Sequence, residues 1–335
     1  MGQRANLVVV SRGSRTLYYD HWCANRLDAE LFWGPRLALD FIVQRPPVAE
    51  PDWWLDTRWC EGAAILDFDR SVLTWFGGQE LLWDVPLRRA HLELMSGPWR
   101  GWEIQWAYEG ILSIADELAL PRASFRARRE DGANPDYTPE LLWVNESYPE
   151  DNLIATSVCL DDGTLLVGRL CGDDDSLHIG PALIDVLIAN GSVDPLRWEG
   201  EFPQGGVHVN CARRTLDTWW ASKTFDLVEC TRAAWPGWTV RWHRDRYEQQ
   251  LELAGGRFIW PTAEDLPMRI VQSLEHCVHS QARNPVRELL PVLAAEGAKL
   301  DHINPATDVA RGSVGDPNEK RAILAALARS LTSTP

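Results

Sequence analysis

The stretch DHWC at residues 20–23 places a carboxylate, an imidazole and a thiol within four positions: Asp20, His21 and Cys23. These are the ingredients of a thiolate nucleophile, in which the imidazole takes the thiol proton and the carboxylate orients the imidazole. On a strand, His21 and Cys23 would project from the same face. A second, similar segment carries Gly168, Arg169 and Cys171 at the matching positions, so the thiol recurs there without a base. A small buried residue at a strand end is the commoner role for such a cysteine. An enzymatic reading, of hydrolase or transferase type, therefore rests on Asp20, His21 and Cys23. It expects the site in a cleft between two repeats, with Arg70 and Arg214 as anion binders.

A binding reading uses other side chains. Trp22, Trp33, Trp75 and Trp219, with Arg70 and Arg214, would line a ligand-binding cleft, since indole rings offer broad apolar faces with a polar handle. Asp67 and Asp69 would share one strand face, but no third hard ligand accompanies them, and neither a metal nor a cofactor is predicted. Phosphate-loop, dinucleotide and nucleophile-elbow motifs are lacking in any fitting context.

The elements that must carry these residues come from an internal duplication. WRGWEIQW at 99–106 and WPGWTVRW at 235–242 share the pattern Trp-x-Gly-Trp-x-x-x-Trp, 136 positions apart. Five further matches keep the same order. ANLVVV pairs with DNLIAT and WGPRLALDFIV with IGPALIDVLIA, each 146 positions on; TLYYDHWC pairs with TLLVGRLC and RWCEG with RWEG. GAAILDFDRSVLTWF against GVHVNCARRTLDTWW aligns Arg70 with Arg214 and Trp75 with Trp219. Ordered matches with drifting offsets are the signature of a tandem repeat with loop insertions.

Each copy reads as a hairpin, a helix opened by proline at Pro35 or Pro181, a second hairpin, the tryptophan strand and a closing helix. The expectation is an α+β fold: a tandem duplication of a ββαβββα-like unit with mainly antiparallel sheet, followed by an all-α C-terminal tail. The expected divisions are a first unit over 1–121, a linker over 122–149, a second unit over 150–262 and the tail over 263–335. The alternation Trp102, Ile104, Trp106 predicts a strand with a buried face and a variable outer face.

In the tail, LLPVLAAEGAKLDHINPATDVA places Gly297 where a helix would end. The segment around 285–331 resembles an ankyrin-type helix pair, although the TPLHxA motif is absent. The resemblance implies a packing or partner-binding appendage, because a single ankyrin unit cannot bury its own face.

Composition limits the function. The net charge of −15 argues against nucleic-acid binding, which needs a basic surface, and is complementary to a basic protein partner. Tryptophan, at 18 residues, outnumbers Phe and Tyr together. Seven cysteines without CxxC spacing and the lack of a secretory or membrane-spanning run predict a cytoplasmic protein with no membrane association. The favoured expectation is a non-enzymatic binding protein, inhibitor- or immunity-like, that recognises a macromolecular partner. The alternatives are the enzyme above and a small-ligand sensor with a Trp-lined cleft.

Overall fold

The computed structural model describes residues 3–127, 153–172, 174–260, 265–279, 295 and 315–332. The α+β class is as expected, with two multi-stranded sheets and C-terminal helices. Of the described residues, 3–81, 86–127, 265–279, 295 and 315–332 belong to one compact unit and 82–85, 153–172 and 174–260 to another.

In the first unit the strands are β1 (Ala5–Ser11), β2 (Ser14–Asp20), β3 (Pro47–Val48), β4 (Gly62–Asp67), β5 (Val72–Phe76) and β6 (Glu103–Trp106), in the sheet order β3-β2-β1-β4-β5-β6. Helices α1 (Leu27–Leu31) and α2 (Pro35–Ile42) join the first hairpin to the second. Helix α3 (Val85–Met95) precedes β6, and α4 (Ile111–Glu117) follows it. The second unit has β7 (Leu153–Cys159), β8 (Leu165–Cys171), α5 (Leu183–Ala189), β9 (Leu196–Arg197), β10 (Gly205–Asn210), β11 (Thr215–Trp220), α6 (Leu227–Ala234), β12 (Thr239–Trp242), α7 (Glu248–Leu253) and β13 (Phe258–Ile259). Its main sheet runs β12-β11-β10-β7-β8, the same order that β6-β5-β4-β1-β2 follows in the first unit. The duplication is therefore visible as repeated topology.

Both sheets combine antiparallel hairpins with two parallel pairings, β1 with β4 and β5 with β6 in one unit, β7 with β10 and β11 with β12 in the other. Each parallel pairing needs a crossover, and the crossover ahead of the tryptophan strand is a helix, α3 or α6. The sequence pattern does not predict that helix, because α3 hides its buried face behind polar residues. Arg88 is fully buried in it, lies 4.8 Å over the Trp106 ring and donates to the Leu81 carbonyl at 3.0 Å; His91 is buried against Phe32.

The hairpin register also differs from the one the residue matches predict. Ala5 sits opposite Gly62 and Ile154 opposite Gly205, so β7 is displaced three residues from the ANLVVV/DNLIAT match. In the second hairpin Ser71 and Arg214 are the equivalents. Both have positive φ (55° and 47°), and their carbonyls accept from the first residue of the tryptophan strand, Glu103 or Thr239. Arg70 consequently matches Arg213, and Trp75 matches Thr218. A one-residue slip exchanges the two faces of a strand, which is why pattern matching alone misplaced these pairs.

What holds each repeat together is clearest at the tryptophan motif. Trp99 and Trp235 are fully buried, and each indole N–H donates to a backbone carbonyl at 2.8 Å, Leu31 in one unit and Leu177 in the other. Leu31 ends α1, so the indole satisfies a carbonyl that the helix leaves unpaired. Trp102 and Trp238 then meet Trp99 and Trp235 edge-on, at 5.3 and 5.0 Å. Beside each bond the backbone closes up on a glycine of positive φ. A Cβ on Gly34 would stand 2.6 Å from the Pro98 carbonyl oxygen, and one on Gly180 would stand 2.6 Å from that of Ala234. Glycine is the residue that combines this φ with that approach.

The second unit's sheet carries a core on each face. Ile154, Val158, Val207 and Trp220 pack with Trp235 on one side, while Leu153, Ala155 and Val167 pack with Trp198 and Phe258 on the other. In the first unit the C-terminal helices α8 (Leu266–His279) and α9 (Pro317–Thr332) pack on each other and on the repeat. Lys320 of α9 lies 4.9 Å over the Trp33 ring, and Glu319 pairs with Arg36 at 2.5 Å. Most of the ankyrin-like segment falls outside the described residues.

Trp99→Phe and Trp235→Phe each remove a buried hydrogen bond to a backbone carbonyl and are expected to lower stability by about 1–3 kcal/mol. Gly34→Ala and Gly180→Ala, which add strain to a steric clash, should cost more than that. Urea unfolding of the four variants checks both the size and the parallel between the units.

Candidate functional site

Strand β2 ends at Asp20, so the DHWC residues leave the sheet in different directions. Asp20 is buried and ion-paired with Arg45, Nε to Oδ2 at 2.6 Å, and its Oδ1 accepts from the Trp22 backbone N–H at 2.7 Å. Arg45 is itself buried, donates to the Phe41 carbonyl and lies over the Phe41 ring at 4.0 Å. His21 shares a 2.7 Å hydrogen bond between Nδ1 and the Tyr19 hydroxyl. Burial, followed by the charge of Arg4, pulls its pKa down. Cys23 is buried ahead of a short 3-10 turn, and burial, reinforced by the negative charge of Asp20, pushes its thiol far up. An activated thiolate requires the opposite shift. The structure therefore brings Asp20 to Arg45 and His21 to Tyr19, and does not hydrogen-bond His21 to Cys23.

The other predicted residues are dispersed. Trp75 is completely buried between His91 and Trp106, with ring centroids 6.2 and 5.1 Å away. Trp219 is equally buried and donates to Gln250 Oε1 at 2.7 Å; the Gln250 amide in turn donates to the carbonyls of Ala155 and Val207. Trp33 lies under Lys320, and Trp22 is half-buried and edge-on to His21 at 4.8 Å. Arg70 pairs with Glu117 at a hairpin tip, and Arg214 forms part of the turn between β10 and β11. Asp67 and Asp69 are occupied by backbone amides: Asp67 accepts from Asp69 and Arg70, and Asp69 from Arg12 and Gly13 at 2.6 and 2.7 Å.

An open aromatic pocket in the first unit, of about 310 Å³, is lined by Arg4, Tyr19, Asp52, Trp53, Trp54 and Trp59 among others. Trp53 and Trp59 are 41% and 49% exposed, which is unusual for so large an apolar side chain. The pocket is built rigidly. Buried Asn6 accepts from the Leu55 N–H at 2.8 Å and donates to the Trp53 carbonyl at 3.0 Å, fastening the loop to β1. Trp54 meets Phe125 edge-on at 5.1 Å, Tyr19 packs on Trp53 at 5.3 Å, and the Arg4 guanidinium lies over Trp59 at 4.5 Å. The sequence signal is DWWLDTRW, residues 52–59, with three tryptophans in neither strand nor helix periodicity.

A cavity of about 390 Å³, also within the first unit, is lined by Asp28, Glu80, His91 and Arg269 together with leucines and Ile270. Burial pushes the Asp28 carboxyl up to about 6 and His91 down to about 4. His91 hydrogen-bonds the Asp28 backbone, and its Nε2 has no hydrogen-bond partner among the described residues.

The second unit carries a polar row across four strands. Ser157 is opposite His208, His208 opposite Asp217, and Asp217 opposite Arg241. Ser157 Oγ and His208 Nδ1 are 2.8 Å apart, and His243 Nε2 meets Asp217 Oδ1 at 2.7 Å. By strand register the first unit has Val8, Ile65, Thr74 and Gln105 there. The residue types are those of acyl-transfer catalysis, but Ser157 is 1% exposed and sits mid-strand. Backbone amides there are committed to the sheet rather than free to hold an oxyanion. No family model matches the chain, and neither curated proteins nor solved structures yield a match.

Asp28 and His91 oppose each other in the pH dependence of stability. Asp28 holds its proton more tightly when folded, so its contribution is full below its ordinary value of 3.8 and is lost as pH rises through about 6. His91 and His208 hold theirs less tightly, and stability rises from pH about 4 to the ordinary value of 6.5. Asp28→Asn should therefore make the melting temperature climb more steeply from pH 4.5 to 6.5 than in the unmodified protein, by a few degrees, in calorimetric melts. A second expectation concerns Cys23: it should resist thiol reagents in the native state and react on unfolding, whereas exposed Cys230 reacts at once.

Proposed function

We propose that the protein is a non-enzymatic binding protein, inhibitor- or immunity-like, which recognises a basic protein partner through the aromatic pocket of its first unit. The observation that carries this reading is the pair of exposed indoles, Trp53 and Trp59, on a loop fastened by buried Asn6. Aromatic side chains held in place before binding lose little entropy on contact, and tryptophan is over-represented among the residues that dominate interface energetics. The charge of −15 supplies long-range attraction for a basic partner and disfavours nucleic acid. Among the described residues no cysteine forms a disulfide, which suits a reducing cytoplasm. Among the described residues no helix is long and apolar enough to cross a membrane.

The test is affinity capture with the full chain, followed by titration of the recovered partner against the unmodified protein, Trp53→Ala and Trp59→Ala. Both substitutions lie at the surface and should leave the fold intact. A stoichiometric basic partner whose Kd weakens about 30-fold or more on either substitution is expected. Raised salt should slow its association. Failure to recover a stoichiometric partner, or equal binding by both variants, contradicts the proposal.

A further inference from the structure

The cavity at Asp28 belongs to the part of the first unit that the second does not reproduce. Counting back eight residues from the equivalent Trp99 and Trp235, His91 corresponds to Leu227, a buried core residue in the second unit. One wall of the cavity comes from α8, which supplies Arg269, Ile270 and Leu274 and lies outside the duplicated segment. The first unit thus differs from the second by a polar group and an extra wall at the same place.

The charges around the cavity are arranged to be completed from outside. Arg269 and Glu80 are exposed on its rim, and Asp28 is half-buried. Among the described residues Arg269 makes no ion pair with either carboxylate, although all three line one cavity. A guanidinium is a strong hydrogen-bond donor to a carboxylate, and two carboxylates together favour an ammonium group. Between them, Ile270 and Leu274 provide apolar wall. A volume of about 390 Å³ is of the size that small-molecule sites have.

From this geometry we infer that the cavity is a binding site for a small zwitterion of the free amino-acid class with an aliphatic side chain. Its ammonium group lies towards Asp28 and Glu80, its carboxylate towards Arg269, and its side chain against Ile270 and Leu274. This site is separate from the aromatic pocket and does not depend on the partner-binding role.

Isothermal titration of the full chain with L-leucine, isopentylamine and 4-methylpentanoate separates the contributions of the two charged ends. L-leucine should bind and raise the melting temperature, while the amine and the acid, each lacking one charge, should bind at least tenfold more weakly. Arg269→Gln and Glu80→Gln, both at exposed positions, should each weaken L-leucine at least tenfold without lowering the melting temperature of the unliganded protein. Trp53→Ala should leave L-leucine binding unchanged, so that failure here and failure of the partner-binding proposal are told apart. No binding of L-leucine, equal binding of the three compounds, or binding that is unaltered by Arg269→Gln would overturn the inference.

Discussion

Each repeat depends on a buried indole N–H that reaches a backbone carbonyl in the helical segment after its first hairpin. Trp99 meets Leu31, and Trp235 meets Leu177, both at 2.8 Å. Around that bond everything else is constrained. The glycine at 34 or 180 lets the following helix pass beneath the carbonyl of residue 98 or 234, and the second tryptophan of the motif stacks edge-on. The third strand-borne position, Trp106 or Trp242, lies on a strand whose parallel pairing completes the sheet. A buried polar bond of this kind is modest in net strength but expensive to leave half-made, which makes it a specifier of register between helix and sheet.

That constraint explains which parts of the fold were legible in the sequence. The offsets of 146 at Gly34 and Gly180 and of 136 at the tryptophan motif are the two sides of one interaction, and both could be read by eye. The strands between them could not be aligned so well. Their period of two tolerates a slip, and the shared Arg and Trp types at 70/214 and 75/219 favour a register one residue off, whereas strand pairing equates Trp75 with Thr218. Helix α3 was missed because a fully buried Arg88 and a buried His91 break its apolar pattern.

The candidate site was less legible than the fold. Proximity in sequence suggested Asp20, His21 and Cys23, yet a strand end sends neighbours apart, and each of the three found a different partner or a dry environment. The aromatic pocket joins residues 4, 19 and 52–59, and the Asp28 cavity joins residues 28, 80, 91 and 269. DWWLDTRW marks part of the first assembly, but no local pattern brings in Arg4 and Tyr19 or joins the four parts of the second. The duplication supplies the useful contrast: where the repeats agree, tryptophan makes core; where they differ, as at His91 against Leu227 or Ser157 against Val8, one copy alone carries polar chemistry.

The account divides tryptophans into those that lock the repeats and those available to a partner, and hydrogen exchange of the indole N–H groups tests that division most directly. In 15N-labelled protein, with resonances assigned by single substitutions, Trp99 and Trp235 should exchange only on global unfolding of their units, while Trp53 and Trp59 should exchange within the dead time. Comparable exchange at all four positions would contradict the account.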